Sequence, residues 1–186
     1  AALVESSGAQ LAYVDVPNGC GNMLKALKSV GFTGKIMGID PCGAPPVIEA
    51  AAGGANGMYI ASPFLLQSGT SHDAQLFQAA MKKWAAPGTL IDSISTAGFA
   101  TVINVQQVLS TISGTPTTSS ILAAFKSGTH QNFLSHPYTC NGQAMKGAPA
   151  ICSDYYLMNQ VQNTTITQPN STDWVTSKGY FPGLSG

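Results

Sequence analysis

The sequence predicts an α/β fold built on a parallel sheet, and three features of residues 8–63 carry that reading. The stretch Gly8-Ala-Gln-Leu-Ala-Tyr-Val-Asp-Val-Pro-Asn-Gly-Cys-Gly reads as a strand and a glycine-rich loop, and the amphipathic run from Asn22 to Val30 follows it. A second unit repeats the order with Lys35-Ile-Met-Gly-Ile-Asp-Pro-Cys-Gly-Ala-Pro and then Pro46 to Ala52. Gly57-Met-Tyr-Ile-Ala-Ser-Pro-Phe supplies a third strand. Strands that alternate with helices pair in parallel, because each crossover returns the chain to the same end of the sheet. Ligands of such sheets bind outside the carboxyl ends of the strands. Here those ends are Asp15 to Gly21 and Asp40 to Pro45.

The opening residues, Ala1 to Ser7, read as the tail of a helix with Leu3 and Val4 turned inward, and Gly8 suits its C-cap. Leu11 to Val16 has the β-branched and aromatic content of a strand, with Asp15 inside it. Asn18 is a possible N-cap, and Gly19 and Gly21 allow a tight turn. Met23, Leu24, Leu27 and Val30 recur at helical spacing until Gly31 stops the helix. Beyond Pro63 the texture turns helical. Ala74 to Ala85 places Leu76, Phe77, Ala80, Met81 and Trp84 on one face, and Pro87-Gly88 breaks it. Thr96 to Ile112 carries Phe99, Val102, Ile103, Val105, Val108 and Leu109. Ser119 to Phe125 is opened by Thr117-Thr118-Ser119, any of which could cap it. From Asn132 the chain reads as β, at Phe133-Leu134 and again from Cys152 to Val161, and the tail after Thr164 is polar and turn-rich.

Bulk composition excludes some functions. The chain has 186 residues, 44% of them apolar and only 9% charged, with a net charge of zero; its mean hydropathy is +0.13. All its basic residues are lysine, and they form no stripe with aromatic residues, which argues against nucleic acid. No stretch approaches the roughly 18 apolar residues of a membrane span. Ala1 begins no recognisable signal peptide, so an export signal is expected to have been removed or to lie outside this sequence. Four cysteines allow three pairings, and no Cys-x-x-Cys spacing marks a zinc or thioredoxin motif. Cys20 and Cys42 occupy equivalent loops after successive strands, and Cys140 and Cys152 flank a turn-rich segment. The expected pairs are therefore Cys20–Cys42 and Cys140–Cys152, which implies an oxidising compartment. Four buried free thiols are the alternative.

Asp40 is the first candidate for chemistry. It ends a strand ahead of Pro41 and Cys42, so its carboxylate is placed to accept hydrogen bonds from a ligand ammonium or amide. Equally, it could cap the following helix or close an Asx turn. Gly19-Cys20-Gly21 lacks the third glycine of a dinucleotide fingerprint, because Leu24 stands there, but the helix N-terminus beyond it favours an anion. His72, His130 and His136 lie in polar or turn contexts, and no Gly-x-Ser-x-Gly elbow occurs, so no catalytic residue is assigned. No metal site and no cofactor are assigned either. Asn163-Thr-Thr and Asn170-Ser-Thr are glycosylation acceptors only in a host with that machinery.

The run Asn22-Met-Leu-Lys-Ala-Leu-Lys-Ser-Val-Gly-Phe-Thr-Gly-Lys-Ile-Met-Gly-Ile-Asp resembles the second lobe of type I periplasmic binding proteins, within them the branched-chain amino acid (Leu/Ile/Val) receptors of ABC importers. Gly54-Ala-Asn-Gly-Met-Tyr-Ile-Ala-Ser-Pro-Phe is similar to that family's strand leading to the hinge, and Phe99 to Ile112 to a long helix of its first lobe. The resemblance covers most of residues 8–160. It implies a two-lobed clamp that closes on a small solute in an inter-lobe cleft and delivers it to an ABC permease. Asp40 falls where amino-acid-binding members place an acidic residue against the ligand ammonium. Val16, Pro17, Asn18, Gly19 and Gly43 fall around the same pocket, and Ser62 and Pro63 at the hinge. Val16 and Pro17 stand near a position often aromatic in the family, a departure from standard Leu/Ile/Val specificity.

The family runs to about twice this length, so the resemblance implies an incomplete chain whose N-terminal half is a further partner. On that reading residues 1–64 form second-lobe βα units with ligand-edge loops. Residues 65–135 form a helical segment that would pack on the absent first-lobe sheet, and residues 136–186 return to the second lobe and end in a polar tail. The implied function is an extracytoplasmic solute-binding component, periplasmic or cell-surface, with a lipid anchor possible in the full-length form. Alternatives are the ligand-binding ectodomain of a sensor and an α/β hydrolase or transferase using Asp15 or Asp40. The lack of a nucleophile–base constellation argues against the enzyme.

Overall fold

The structure, a computed structural model, describes residues 1–16, 18–168 and 173–176. The chain forms two compact units, Ala1–Ser62 with Leu90–Ile94 and Leu157–Asp173, and Pro63–Thr89 with Ser95–Tyr156 and Trp174–Gly186.

The first unit is the α/β sheet. Helix α1 spans Ala2–Ser6 and strand β1 Leu11–Val14. Between them Gly8, just after the C-cap Ser7, adopts φ +69°, a backbone that side chains disfavour and that suits a residue ending a helix. Helix α2 (Cys20–Ser29) leads to β2 (Lys35–Gly38). A 3-10 turn over Asp40–Gly43 runs into α3 (Pro45–Ala50), whose leading proline has no amide donor to waste in the first turn. Strand β3 is Tyr59–Ser62. β1 pairs in parallel with β2 through Val14↔Gly38, and β2 with β3 through Gly38↔Ile60, so the carboxyl ends of all three lie on one edge.

Beyond β3 the sheet changes direction. β6 (Tyr155–Gln162) adds antiparallel to it, Ser62 opposite Leu157, and β7 (Thr165–Thr167) closes the order β1-β2-β3-β6-β7. The core lies between this sheet and helices α2 and α3: Leu24, Leu27, Ile48, Met58, Ile60 and Val161 are each at most 3% exposed. The two helices lie close to the loop that follows them, where a Cβ on Gly54 would collide with the Leu24 carbonyl.

The second unit holds the three helices expected between residues 68 and 127: α4 (His72–Trp84), α5 (Ser93–Leu109, from Ser95 in this unit) and α6 (Thr118–Lys126). Ser71 caps α4 by accepting from the Ala74 amide, and Thr117 with Ser120 forms a capping box for α6. Short strands β4 (Thr129–His130) and β5 (Tyr138–Thr139) pair with each other, and β8 (Val175–Thr176) pairs with Tyr155 and Tyr156 of β6. The core is small and aromatic. Phe77 is fully buried, edge-on to Phe99 at 5.3 Å, and Phe99 in turn meets Phe133 at 5.3 Å.

Several expectations need correction. Strand β1 stops at Val14, so Asp15 lies beyond the strand rather than within it, and Asp15 and Val16 are exposed. Cys20 is the first residue of α2 and not part of a loop. Leu3 is 86% exposed, while Val4 and Ala1 pack on the core. Phe133-Leu134 forms a buried turn, not a strand, with Leu134 at φ +55°. The turn persists because polar side chains satisfy its backbone: Asn104 accepts from the Phe133 amide at 2.9 Å and Asp73 from the Leu134 amide at 3.0 Å. Among the residues read as inward faces, Leu76 is 45%, Trp84 76% and Val102 68% exposed. Periodicity identifies a face but not whether a neighbour covers it.

Candidate functional site

At the carboxyl edge of β1–β3, Ser62, Asp92 and Ser93 come to Asp40. The Ile39 amide bonds the Val14 carbonyl at 3.2 Å, which carries the β1–β2 ladder one step past the strands and sets the start of the 3-10 turn. Asp40 opens that turn. The N-cap of helix α3 is Ala44, with no side-chain cap, so Asp40 does not cap it. Instead its Oδ2 accepts from the Ser62 Oγ at 3.2 Å, at the end of β3.

Burial raises the Asp40 carboxyl from 3.8 to about 6, because desolvation penalises the charged form. The Ser62 hydrogen bond pulls the other way, the charge of Asp92 adds to the rise, and the Ser93 hydroxyl opposes it. Asp92 is 9% exposed and lies just before α5. Sequence reading missed Asp92 and Ser93. An Asp-Ser pair ahead of a helix reads as a capping segment, and nothing local tells that it returns to Asp40 from 52 residues away.

The other residues assigned to the pocket divide. Val16 and Asn18 are exposed, and Pro17 lies outside the described residues. Gly19 donates its amide to the Val16 carbonyl at 2.8 Å, closing the turn before α2. Gly43 is buried, and a Cβ there would press on Ile60 and Ile166. Ser62 and Pro63, expected at the hinge, flank the first boundary between the two units.

Both disulfides pair as the loop placement suggested. Cys20 joins Cys42 with Cα atoms 5.4 Å apart, tying the start of α2 to the turn that carries Asp40. Cys140 joins Cys152 at 4.3 Å in the second unit. Closing a loop of 22 residues stabilises by roughly 3 kcal/mol in the chain-entropy treatment. The double variant Cys20→Ala/Cys42→Ala is therefore expected to lose about that much in urea denaturation. Peptide mapping without reduction is expected to return the same two pairs, and four free thiols in exported protein would refute them. Among the described residues no group of His, Cys, Asp and Glu is arranged to hold a metal ion, and no helix is long and apolar enough to cross a membrane.

A parallel sheet with flanking helices and a polar carboxyl edge is the architecture of one lobe of the type I periplasmic binding protein fold. The chain belongs to the periplasmic binding protein family, which its sequence matches over residues 1–163. A branched-chain amino acid ABC transporter protein from Thermus thermophilus, solved with bound valine, superposes with a TM-score of 0.70 at 15% identity, over 96% of this chain and 49% of that one. A leucine binding protein from Thermotoga maritima gives 0.68 at 11% identity, over 94% and 47%. A branched-chain amino acid transporter substrate binding protein from Streptococcus pneumoniae, in complex with isoleucine, gives 0.62 at 16% identity, over 90% and 48%. The chain thus spans about half the length of these proteins, and at such identities the likeness is one of fold. No curated protein sequence matches it.

Proposed function

We propose that the protein is the extracytoplasmic solute-binding component of an ABC importer and that it takes an amino acid or a similar small solute at the carboxyl edge of β1–β3. The observation that supports this best is Asp40, a largely buried carboxyl on that edge, held by Ser62 and already shifted by desolvation. A carboxylate in such a place is poorly solvated when ionised, so an incoming ammonium recovers what water no longer supplies. Two disulfides fit the oxidising compartment in which such a component works. Ser62 links the site to the neighbouring boundary at Pro63, which we take as the hinge. Val16, Asn18 and Gly19 complete the rim.

The test is calorimetric titration of the full-length protein against aliphatic and aromatic amino acids and their amides. Hydrogen bonds to charged groups contribute about 1.5–3 kcal/mol, so Asp40→Asn is expected to weaken binding by roughly one to two decades. Because the ammonium needs an ionised partner, wild-type affinity is expected to fall by about tenfold for each pH unit below about 6, and the variant's to stay flat. An unchanged affinity in Asp40→Asn would reduce Asp40 to a structural residue and remove the argument for an ammonium ligand.

A further inference from the structure

The hairpin at the far end of the first unit's sheet carries a motif that the binding site does not use. β6 and β7 join through Asn163 and Thr164, and Gln162 faces Thr165 across the pair. Asn163-Thr164-Thr165 is an Asn-x-Thr acceptor sequence. Asn163 is exposed, at φ +58°, with its backbone amide held by the Asn56 Oδ1 at 2.8 Å. Its side-chain amide makes no hydrogen bond among the described residues. Backbone anchored and side chain free is the geometry that presents an amide nitrogen outward from a turn.

Register fixes where this turn lies. β6 runs antiparallel to β3, with Gln160 opposite Tyr59 and Leu157 opposite Ser62. Asn163 therefore sits at the amino end of the parallel strands, the edge opposite Asp40. A bulky group there leaves the proposed ligand edge open. It also stands beside β7, among the described residues the last strand of the path β1-β2-β3-β6-β7, and the outer backbone groups of such an edge strand are a template for pairing with another chain.

We infer that Asn163 is an acceptor for an N-linked glycan, an inference that rests on the extracytoplasmic reading. The donor is a lipid-linked oligosaccharide. The Asn163 Nδ2 forms a bond to the anomeric carbon as the bond from that carbon to the lipid phosphate breaks; the lipid phosphate leaves and the amide gives up one proton. The glycan shields the β7 edge without touching the binding residues.

The test is tandem mass spectrometry of the exported protein taken from the cells that make it, with the disulfides mapped in parallel. The Asn163 peptide is expected to carry a saccharide. In an Asn170→Gln background, Asn163→Gln and Thr165→Ala are expected to abolish that mass, and Thr164→Ala to keep it. A bare Asn163 in exported, disulfide-bonded protein overturns the inference, whether or not a heterologous secretory pathway can load it. Titration of the same sample with amino acids separates the two claims: bare protein that binds leaves the solute-binding reading standing, and glycosylated protein that binds nothing removes that reading alone.

Discussion

Asp40→Asn is expected to stabilise the unliganded protein by about 3 kcal/mol above pH 6 while it weakens ligand binding. The sign follows from the raised carboxyl. In the unfolded chain the group releases its proton near 3.8, and in the fold only near 6. Between those values the native state binds more protons than the unfolded state, so stability falls as pH rises through the window. The gap, 6 − 3.8 = 2.2, multiplied by about 1.36 kcal/mol per unit gives the figure. Asparagine carries no charge to desolvate, and its carbonyl can still accept from Ser62. Urea denaturation of both proteins at pH 3 and pH 8 isolates the effect, because the remaining carboxylates are common to both. Parallel stability profiles would mean that ionised Asp40 is solvated or compensated in the fold, and the case for an unfulfilled charge at the site would go with them.

Phe77→Ala is expected to destabilise the second unit by about 3–5 kcal/mol, the range for truncating a buried phenylalanine. The mechanism is a cavity: Phe77 is fully buried against Phe99, and Phe99 leans on Phe133. This core has few members, so little stands ready to collapse into the space. Phe77→Leu is expected to cost markedly less. Two transitions in thermal denaturation, the lower one moved by Phe77→Ala and the upper one unmoved, would assign the loss to this unit. A change under 1 kcal/mol would show that helix α4 does not depend on its aromatic contacts.

The first unit was largely legible because its signals are local. Glycines precede β1, β2 and β3, Leu24 and Leu27 keep helical spacing, and Cys20 and Cys42 each follow one of two successive strands, so these three strands, helix α2 and the Cys20–Cys42 pair followed. Boundaries were less legible. β1 ends two residues early because Asp15 and Val16 turn out with the loop, although Val16 has the β-branched side chain of a strand residue. At the site, Asp40 was readable as a carboxylate on a strand edge, but its hydrogen-bond partner Ser62 and the nearby Asp92 and Ser93 come from elements remote in sequence. The turn at Phe133-Leu134 was misread for the same reason. Its backbone is satisfied by Asp73 and Asn104, which no local pattern connects to it. Trp84 and Val102 mark the limit of the argument from amphipathic spacing, since an apolar stripe says nothing about what lies opposite.

The antiparallel seat of β6 sets a constraint on synthesis. Tyr59 pairs with Gln160, so a full helical unit is translated between the two strands that meet there. On the ribosome, β1, β2 and β3 emerge together and can form their parallel ladder while the open flank of β3 waits for its partner. Such non-local closure raises contact order and slows folding. An unpaired strand exposed for that long is where a nascent chain meets its neighbours.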